Sequence, residues 1–274
     1  MNDLSRLALH TITTKPWDLA TAVKKYKAAG VTGITVWTDA ARGCPGGVTE
    51  AAAILRDSGL QRVSYARGGF FTALDESDRR KAIDENKTMI DEAAEMGLPV
   101  VVLVSGATPG QSLDTSRAQI AEGIAACLDH AARAGVTMGI EAIHPMYADT
   151  RSAINTLAQA NDLCERLDHP NVGVVVDVYH SWWDERLEAE MRRAGEAGRL
   201  LAFHVNDWKT DTDDFLLDRG LMGEGVVDIK RIRRWVESAG FNGPIEVEIF
   251  SNHYWSMDQD AFLAKIVSAY QAHV

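Results

Sequence analysis

The stretch Thr137-Met138-Gly139-Ile140-Glu141 is a short apolar run that ends on a carboxylate. A single acid after a buried strand usually caps the next helix. Here, however, four successive runs end on a titratable side chain, which indicates a divalent-metal site at the carboxyl end of a parallel sheet. The other three are Val174-Val175-Val176-Asp177, Leu200-Leu201-Ala202-Phe203-His204 and Ile245-Glu246-Val247-Glu248.

These runs belong to an alternation of strand and helix patterns that extends along the whole chain. Strands are predicted at Leu7–His10, Gly33–Trp37, Arg62–Arg67, Val100–Ser105, Thr137–Glu141, Val172–Asp177, Leu200–Val205 and Ile245–Ile249. Helices are predicted at 17–29, 48–58, 76–96, 114–134, 152–167, 184–197, 228–239 and 258–272. Strict alternation favours parallel strands with right-handed crossovers. We therefore predict an α/β fold, a single (β/α)8 TIM barrel that forms one domain over residues 1–274.

Composition narrows the class of protein. The 274 residues are 46% hydrophobic, enough for one large core, and no apolar run reaches the roughly 20 residues of a membrane span. The net charge of −11 argues against a nucleic-acid partner, because phosphate binding needs clustered Lys and Arg. The chain opens without a basic and then apolar stretch, and its three cysteines lack CxxC spacing. We expect a cytoplasmic protein with neither membrane nor nucleic acid as its partner.

The four strand ends are the predicted metal ligands. Neighbouring barrel strands lie about 5 Å apart, so their ends can converge on one ion. Carboxylates with one imidazole suit Mn²⁺, our leading choice, with Mg²⁺, Co²⁺ and Zn²⁺ as alternatives. The predicted ligands are Glu141, Asp177, His204 and Glu248. Two alternatives stay open: the first two acids are helix caps and His204 is a core histidine, or Glu246, on the same face as Glu248, is the ligand.

Further candidates lie on the loops at the same end of the barrel. His144 and His180 each follow a predicted ligand by three residues, and histidine can bind a substrate oxygen or move a proton. The connection from His204 to Asp228 is long, which is typical of a functional loop. The predicted substrate-binding residues are His10, Trp37, Arg67, His180, Asn206 and Arg219. Arg67 could instead form a structural ion pair, and His10 and Trp37 could simply close the barrel mouth.

The chain resembles the sugar isomerase/epimerase group with the xylose-isomerase-like barrel. The resemblance lies in Gly139-Ile140-Glu141, Val176-Asp177-Val178-Tyr179-His180, Phe203-His204-Val205-Asn206-Asp207, Gly223-Glu224-Gly225-Val226-Val227-Asp228 and Val247-Glu248-Ile249-Phe250. It implies the same four metal ligands and a substrate-binding role for His180. Ketose 3-epimerases carry a Glu where this chain has Tyr147, and an Arg soon after the metal histidine, whereas here the first is Arg219.

Glu141-Ala142-Ile143-His144-Pro145 is similar instead to the catalytic subunits of C-glycoside deglycosidases. This resemblance implies β-elimination on 3-oxo-glucosides, His144 as the base, and a small β-sandwich partner subunit. Glu248 or His180 would then handle the second proton. The alternative is an isomerase or epimerase of a keto-sugar or inosose, and a remote one is a non-catalytic sugar-binding barrel. Barrels of this kind are often oligomers, so we also expect an oligomer.

Overall fold

A computed structural model describes residues 3–274, so Met1 and Asn2 of the predicted domain lie outside the described residues. Eight parallel strands form a closed barrel in which each strand pairs with the next along the chain. The strands are β1 (Leu7–His10), β2 (Gly33–Trp37), β3 (Gln61–Gly69), β4 (Val100–Val104), β5 (Thr137–Glu141), β6 (Val172–Asp177), β7 (Leu200–Val205) and β8 (Ile245–Val247). The predicted α/β class and the single (β/α)8 TIM barrel are confirmed.

The barrel closes where β8 pairs in parallel with β1, with Ala8 opposite Glu246. The last strand is shorter than predicted, because regular pairing stops at Val247. Glu248 nevertheless continues along β7, since its backbone N–H donates to the carbonyl of Val205 at 3.2 Å. Glu248 is thereby fixed at the carboxyl end of the barrel.

Each strand leads into a helix on the outside of the barrel, and shorter helices occupy some of the loops. The helices are α1 (Leu19–Ala28), α2 (Thr38–Arg42), α3 (Gly47–Ser58), α4 (Glu76–Met96), α5 (Leu113–Ala134), α6 (Leu157–Leu167), α7 (Val178–Ser181), α8 (Leu187–Glu196), α9 (Ile229–Ser238), α10 (Asn252–Trp255) and α11 (Gln259–His273), with a 3₁₀ turn at Pro145–Tyr147. The predicted helix over 152–167 was wrong at its start. It begins at Leu157, because the Thr156 hydroxyl accepts the Gln159 N–H and caps it there.

The inside of the barrel is filled by small side chains. Ala66, Val102, Val175 and Ala202 form a buried cluster of their own, separate from the larger core between strands and helices. Gly173 belongs to the same packing: a Cβ there would lie 2.4 Å from the Arg199 carbonyl oxygen. Because these residues are short, the polar side chains at the strand ends have room above them.

One carboxylate organises the long loop between β7 and α9. Asp207 is buried, and its oxygens accept the backbone N–H groups of Trp208 at 2.9 Å, Gly223 at 2.9 Å and Val227 at 3.0 Å. These bonds fold the loop back over the barrel mouth. Among residues 3–274, no helix combines the length and the apolarity needed to span a lipid bilayer.

Candidate active site

The structure brings the four predicted metal ligands together at the carboxyl end of the barrel. Each of Glu141, Asp177, His204 and Glu248 offers a donor atom, and these donor atoms all lie within 4.8 Å of one another. All four residues are buried, at 5% exposure or less. Three carboxylates and one imidazole forced into so small a volume form a donor set that fits one divalent cation.

Unsatisfied polar atoms within the cluster support that fit. Oε1 of Glu141 and Nδ1 of His204 are buried and lack a hydrogen bond of good geometry, although they lie 3.2 Å apart. A buried polar atom without a partner is costly, so each one needs a physical explanation, and a bound water or ion is one of them. These two atoms are therefore free to coordinate a metal ion.

Asp177 is both a helix cap and a member of this cluster. Its Oδ1 accepts the Tyr179 N–H at 2.8 Å and thereby caps α7, while its Oδ2 lies 3.0 Å from Nη1 of Arg219. Burial raises the pKa of this carboxyl to about 7, although the Arg219 charge opposes the rise. The helix cap is thus observed on Oδ1, while Asp177, as a member of the four-residue cluster, remains a predicted ligand.

Glu246 lies one layer deeper than Glu248 and outside the four-residue cluster. Its Oε2 accepts from the Thr35 hydroxyl and from Ser64 Oγ at 2.9 Å, and it lies 3.2 Å from Nε2 of His10. The same oxygen lies 3.6 Å from Nε2 of His204. Burial alone would raise the pKa of Glu246, but His204, His10 and Thr35 lower it, so this carboxylate is ionised beneath the cluster.

His204 is consequently oriented from both sides. Its Nε2 faces Glu246, whereas its Nδ1 faces Glu141 at 3.2 Å and Glu248 at 4.0 Å. Burial alone would lower the pKa of His204, but Glu246 and the other neighbouring carboxylates raise it to about 10. Without a bound cation, the imidazole itself carries the positive charge that the acids need. With one, Nδ1 is the nitrogen available for coordination.

Arg219, predicted to bind substrate, occupies the centre of this network. Its Nη1 donates to Asp177 at 3.0 Å and to Glu248 at 3.1 Å, and its guanidinium lies between the rings of Tyr179 and Phe250, 4.5 and 4.8 Å from their centroids. The guanidinium is 4% exposed but still lines the cavity. It therefore holds two of the four predicted ligands in place.

His180 is neutral and holds one free donor. Its Nε2 lies 3.2 Å from Nη2 of Arg219, which can only donate, so Nε2 must be the accepting nitrogen. Burial and the charge of Arg219 hold the pKa of His180 well below its usual range. The proton of the neutral ring is therefore on Nδ1, which is buried without a partner. His180 is also one of the residues that line the cavity.

His144 packs among aromatic side chains of the loops. Its ring stacks on Trp208 with a centroid separation of 4.9 Å and meets Trp183 edge-on at 5.7 Å. Its Nδ1 accepts the Met146 N–H at 3.2 Å and caps the short 3₁₀ turn that Pro145 begins. The structure does not place His144 among the residues that line the cavity above the cluster.

That cavity has a volume of about 280 Å³ and opens directly above Glu141 and Glu248. Trp37 and Arg67, two of the predicted substrate-binding residues, line it. His10 and Asn206 do not: His10 lies below the cluster with Nδ1 3.1 Å from Glu248, and the Asn206 amide donates to Asp177 at 3.1 Å. Both are fully buried and support the ligands from behind.

Lys15, Tyr147, Arg151 and Trp255 also line the cavity. The sequence singled out neither Lys15 nor Arg151, and it marked Trp255 only as one of several aromatic residues on the loops. Tyr147 drew notice only because ketose 3-epimerases have Glu at that position. Each belongs to a loop rather than to a strand end, so strand periodicity carried no signal for it. Their common position on loops at the carboxyl ends of strands was the one usable clue.

Residues 23–266 match the family model of the xylose isomerase-like TIM barrel. The chain therefore belongs to the xylose isomerase-like TIM barrel family. Among curated relatives, an inosose isomerase from Bacillus velezensis is 27% identical over 192 residues, which make up 69% of this chain and 66% of the relative. The chain thus matches just under two thirds of the length of that relative.

Solved structures show the same barrel. Protein SMc04130 from Sinorhizobium meliloti 1021 superposes with a TM-score of 0.95 at 45% sequence identity and covers 99% of each chain. The IOLI protein, solved with a zinc atom, superposes with a TM-score of 0.82 over 98% of this chain and 99% of its own. Its sequence identity is 20%, so this second likeness concerns the fold alone.

Proposed function

We propose that this protein is a divalent-metal-dependent isomerase or epimerase that removes the proton α to the carbonyl of a keto-sugar or inosose. The observation that carries the proposal is the cluster of four donor residues at the floor of a cavity, with their donor atoms within 4.8 Å of one another. A divalent ion held there would polarise a carbonyl and stabilise the negative charge that develops when the α proton leaves. Mn²⁺ is the leading choice for a site of three carboxylates and one imidazole.

Side chains that line the cavity would act as the base and bind the substrate. Glu248 is ionised, because His10 and Arg219 hold its pKa well below the usual range despite burial, and it lines the cavity as the proposed base. Glu141 lines the cavity from β5, with β6 and β7 between it and β8, so a second carboxylate faces the substrate from another side. The Nδ1–H of His180 would hold a substrate oxygen.

We do not assign the base role to His144, although its spacing in the sequence favours it. A general base needs hydrogen-bond reach to the proton it removes, and the His144 ring is held against Trp208 instead. We propose that His144 positions the loop beyond β5, and that Glu248 and His180 act on the substrate. The aromatic contact with Trp208 also joins this loop to the long loop after β7.

The size of the cavity bears on the substrate. About 280 Å³ is at the lower end of the range for small-molecule sites, which suits a single sugar or cyclitol ring. The relative named inosose isomerase agrees with a cyclic polyol ketone as one substrate class.

Elimination from a 3-oxo-glucoside is a second candidate, favoured by an adjoining cavity of about 560 Å³. The two cavities share Ile12, Lys15, Trp37 and Asp39 in their walls, so a ring bound above the metal site could extend an aglycone into the second cavity. In both reactions the first step is loss of the α proton. The reactions differ in whether the α carbanion is reprotonated or expels a β substituent. A β-sandwich partner subunit, expected for such a deglycosidase, would be revealed by co-purification.

The test of the proposal is proton exchange at the α carbon in deuterated water. We expect the Mn²⁺-loaded protein to exchange the α proton of a free keto-sugar or inosose, as measured by NMR. This exchange should stop when a chelator removes the metal. Re-addition of Mn²⁺ should restore exchange. Unchanged exchange after verified metal removal would refute the metal-dependent scheme, and release of an aglycone from a 3-oxo-glycoside would favour elimination.

Glu248→Gln is the matched variant, because it keeps the shape of the side chain but removes its ability to accept a proton. The control is Glu188→Gln, on the exposed face of α8 with its side chain 51% exposed. We expect the Glu188 variant to exchange like the wild type and the Glu248 variant to lose exchange. Metal content has to be measured in both, since Glu248 is also a predicted ligand.

A further inference from the structure

The rim of the cavity carries three cations that have no carboxylate partner. Lys15, Arg67 and Arg151 all line the cavity, and within residues 3–274 none of them has an Asp or Glu oxygen within 4.0 Å. The chain has a net charge of −11, so acidic partners are plentiful elsewhere on it. Arg42 and Arg193, for example, each contact two or more acids.

The two arginines are held by aromatic rings and lie near each other. Arg67 stacks over Trp37 and Phe70, at 5.5 and 4.7 Å from the ring centroids, and Arg151 lies 5.6 Å from the centroid of Tyr147. Burial, and next the charge of Arg151, lowers the pKa of Arg67. Two like charges placed together in a partly buried cavity repel each other, and a bound anion removes that cost.

Tyr147 adds a second sign of a ligand at the same place. Tyr147 lines the cavity, and its buried hydroxyl has no hydrogen-bond partner within residues 3–274. Its ring contacts Arg151 on one side and lies 6.4 Å from the His180 ring, centroid to centroid, on the other. A molecule that reached from His180 to Arg151 would satisfy this hydroxyl on its way.

The two ends of the cavity therefore carry opposite charges. Its floor holds Glu141 and Glu248 of the four-residue cluster. Arg219 also lies there, but it is already bonded to Asp177 and Glu248. Its rim holds the three free cations and one acid, Asp39, whose charge acts on Arg67 without an ion-pair contact. A neutral sugar would leave the rim cations unpaired, whereas an oxyanion would pair with both guanidinium groups.

We propose that the substrate is an anionic keto-sugar, whose phosphate or carboxylate group binds Arg67 and Arg151 at the rim while its keto end lies over the metal cluster. Lys15, held 4.7 Å from the Trp255 centroid, adds a third positive charge at the same opening. The inference rests on the proposed function for the keto end of the substrate. The anion site itself can be tested without any turnover.

The first experiment measures anion binding to the Mn²⁺-loaded protein by calorimetry, with inorganic phosphate and acetate as separate probes. We expect at least one probe to bind, and the double variant R67Q/R151Q to weaken it about 100-fold, because removal of each charge-assisted hydrogen bond weakens binding about tenfold. The probe that binds more tightly tells a phosphate site from a carboxylate site. The control R56Q/R192Q makes the same charge change at guanidinium groups whose side chains are 69% and 62% exposed.

Two results would overturn the inference: neither anion binds the wild type, or R67Q/R151Q and R56Q/R192Q bind the anion equally. The second result would mean that the anion binds the metal rather than the rim. Circular dichroism and metal content of each variant show that it is folded and loaded. A variant that fails to fold is replaced by the single substitutions Arg67→Gln and Arg151→Gln, each with an expected loss of about tenfold.

The second experiment compares proton exchange on D-fructose, D-fructose 6-phosphate and 5-keto-D-gluconate. We expect an anionic ketose to be preferred, and the ratio of its kcat/KM to that of fructose to fall about 100-fold in R67Q/R151Q. A preference that persists in the double variant would contradict the proposal. If no sugar exchanges at all, the proposed function fails for these sugars, while the calorimetric result still decides the anion site.

Discussion

Glu246→Gln tests the assignment of the two acids of β8 to different layers. Glu246 does not belong to the four-residue cluster, yet its Oε2 lies 3.6 Å from Nε2 of His204 and 3.2 Å from Nε2 of His10. In that position it is the group that orients His204, so that Nδ1 faces the other ligands. The substitution keeps the shape of the side chain and an acceptor oxygen for Thr35 or Ser64, but it removes the charge behind the imidazole.

The expected magnitude follows from that geometry. Partners that orient a metal-ligating histidine typically contribute about 10- to 100-fold to metal affinity, or about 1.4 to 2.8 kcal/mol. Gln can still accept a hydrogen bond from Nε2, which favours the lower end of that range. Removing the negative charge lowers the basicity of the imidazole, which favours the upper end. Glu248→Gln removes a ligand instead, so its loss of affinity should exceed that of Glu246→Gln.

The assay is a competition titration of Mn²⁺ against a fluorescent chelator at pH 8, with Glu188→Gln as the exposed control. Thermal unfolding without metal shows whether each variant is folded. If Glu246→Gln binds Mn²⁺ as tightly as the control, the orienting role is refuted. If it abolishes binding while Glu248→Gln retains most of it, then Glu246 is the ligand and the assignment of the two layers has to be reversed.

Three further predictions concern His144, Gly173 and His204. His144→Ala should keep Mn²⁺ and lower the rate of α-proton exchange less than about tenfold, because its ring packs on Trp208; a loss of about 100-fold or more with metal retained would instead restore it as the base. Gly173→Ala should lower the free energy of unfolding by about 1–3 kcal/mol, seen as a lower Tm, because the new Cβ would lie 2.4 Å from the Arg199 carbonyl; an unchanged Tm would contradict this packing. Mn²⁺ uptake between pH 7 and 9 should release a proton from His204, whose pKa is raised to about 10 without metal, so affinity should rise with pH. Calorimetry in two buffers of different ionisation enthalpy measures that release, and a pH-independent affinity would contradict it.

The barrel and the convergence of its strand ends were predictable because both follow from local periodicity. Each apolar run predicted a strand, and the titratable residue that ends the run therefore lay at the carboxyl end of that strand. The order of layers at β8 was harder to predict. Alternation puts Glu246 and Glu248 on one face, but their depth depends on the closure of β8 against β1, which sets Ala8 opposite Glu246.

The positions of the loop side chains were much harder to predict from the sequence. The spacing of three residues after a ligand is the same for His144 and His180, yet the two side chains lie in different places. Pro145 starts a 3₁₀ turn that uses the Nδ1 of His144 as its cap, whereas α7 carries His180 over the cluster to Arg219. Because both histidines have the same spacing in the sequence, this difference becomes visible only in the packing of the folded loops.

Asp177 shows why a strand-end acid should not be assigned to one role. The sequence posed helix cap and metal ligand as competing interpretations, and the structure shows the capping bond on one oxygen while the other stays near the cluster. Its Oδ1 is fixed by the Tyr179 N–H and the Asn206 amide, which leaves Oδ2 directed towards Arg219 and the cluster. A capping bond on one oxygen restricts the rotation of the whole carboxylate, so the start of α7 fixes the position of this predicted ligand. The same reasoning separates this acid from Glu141, which caps no helix and whose Oε1 is left without a partner.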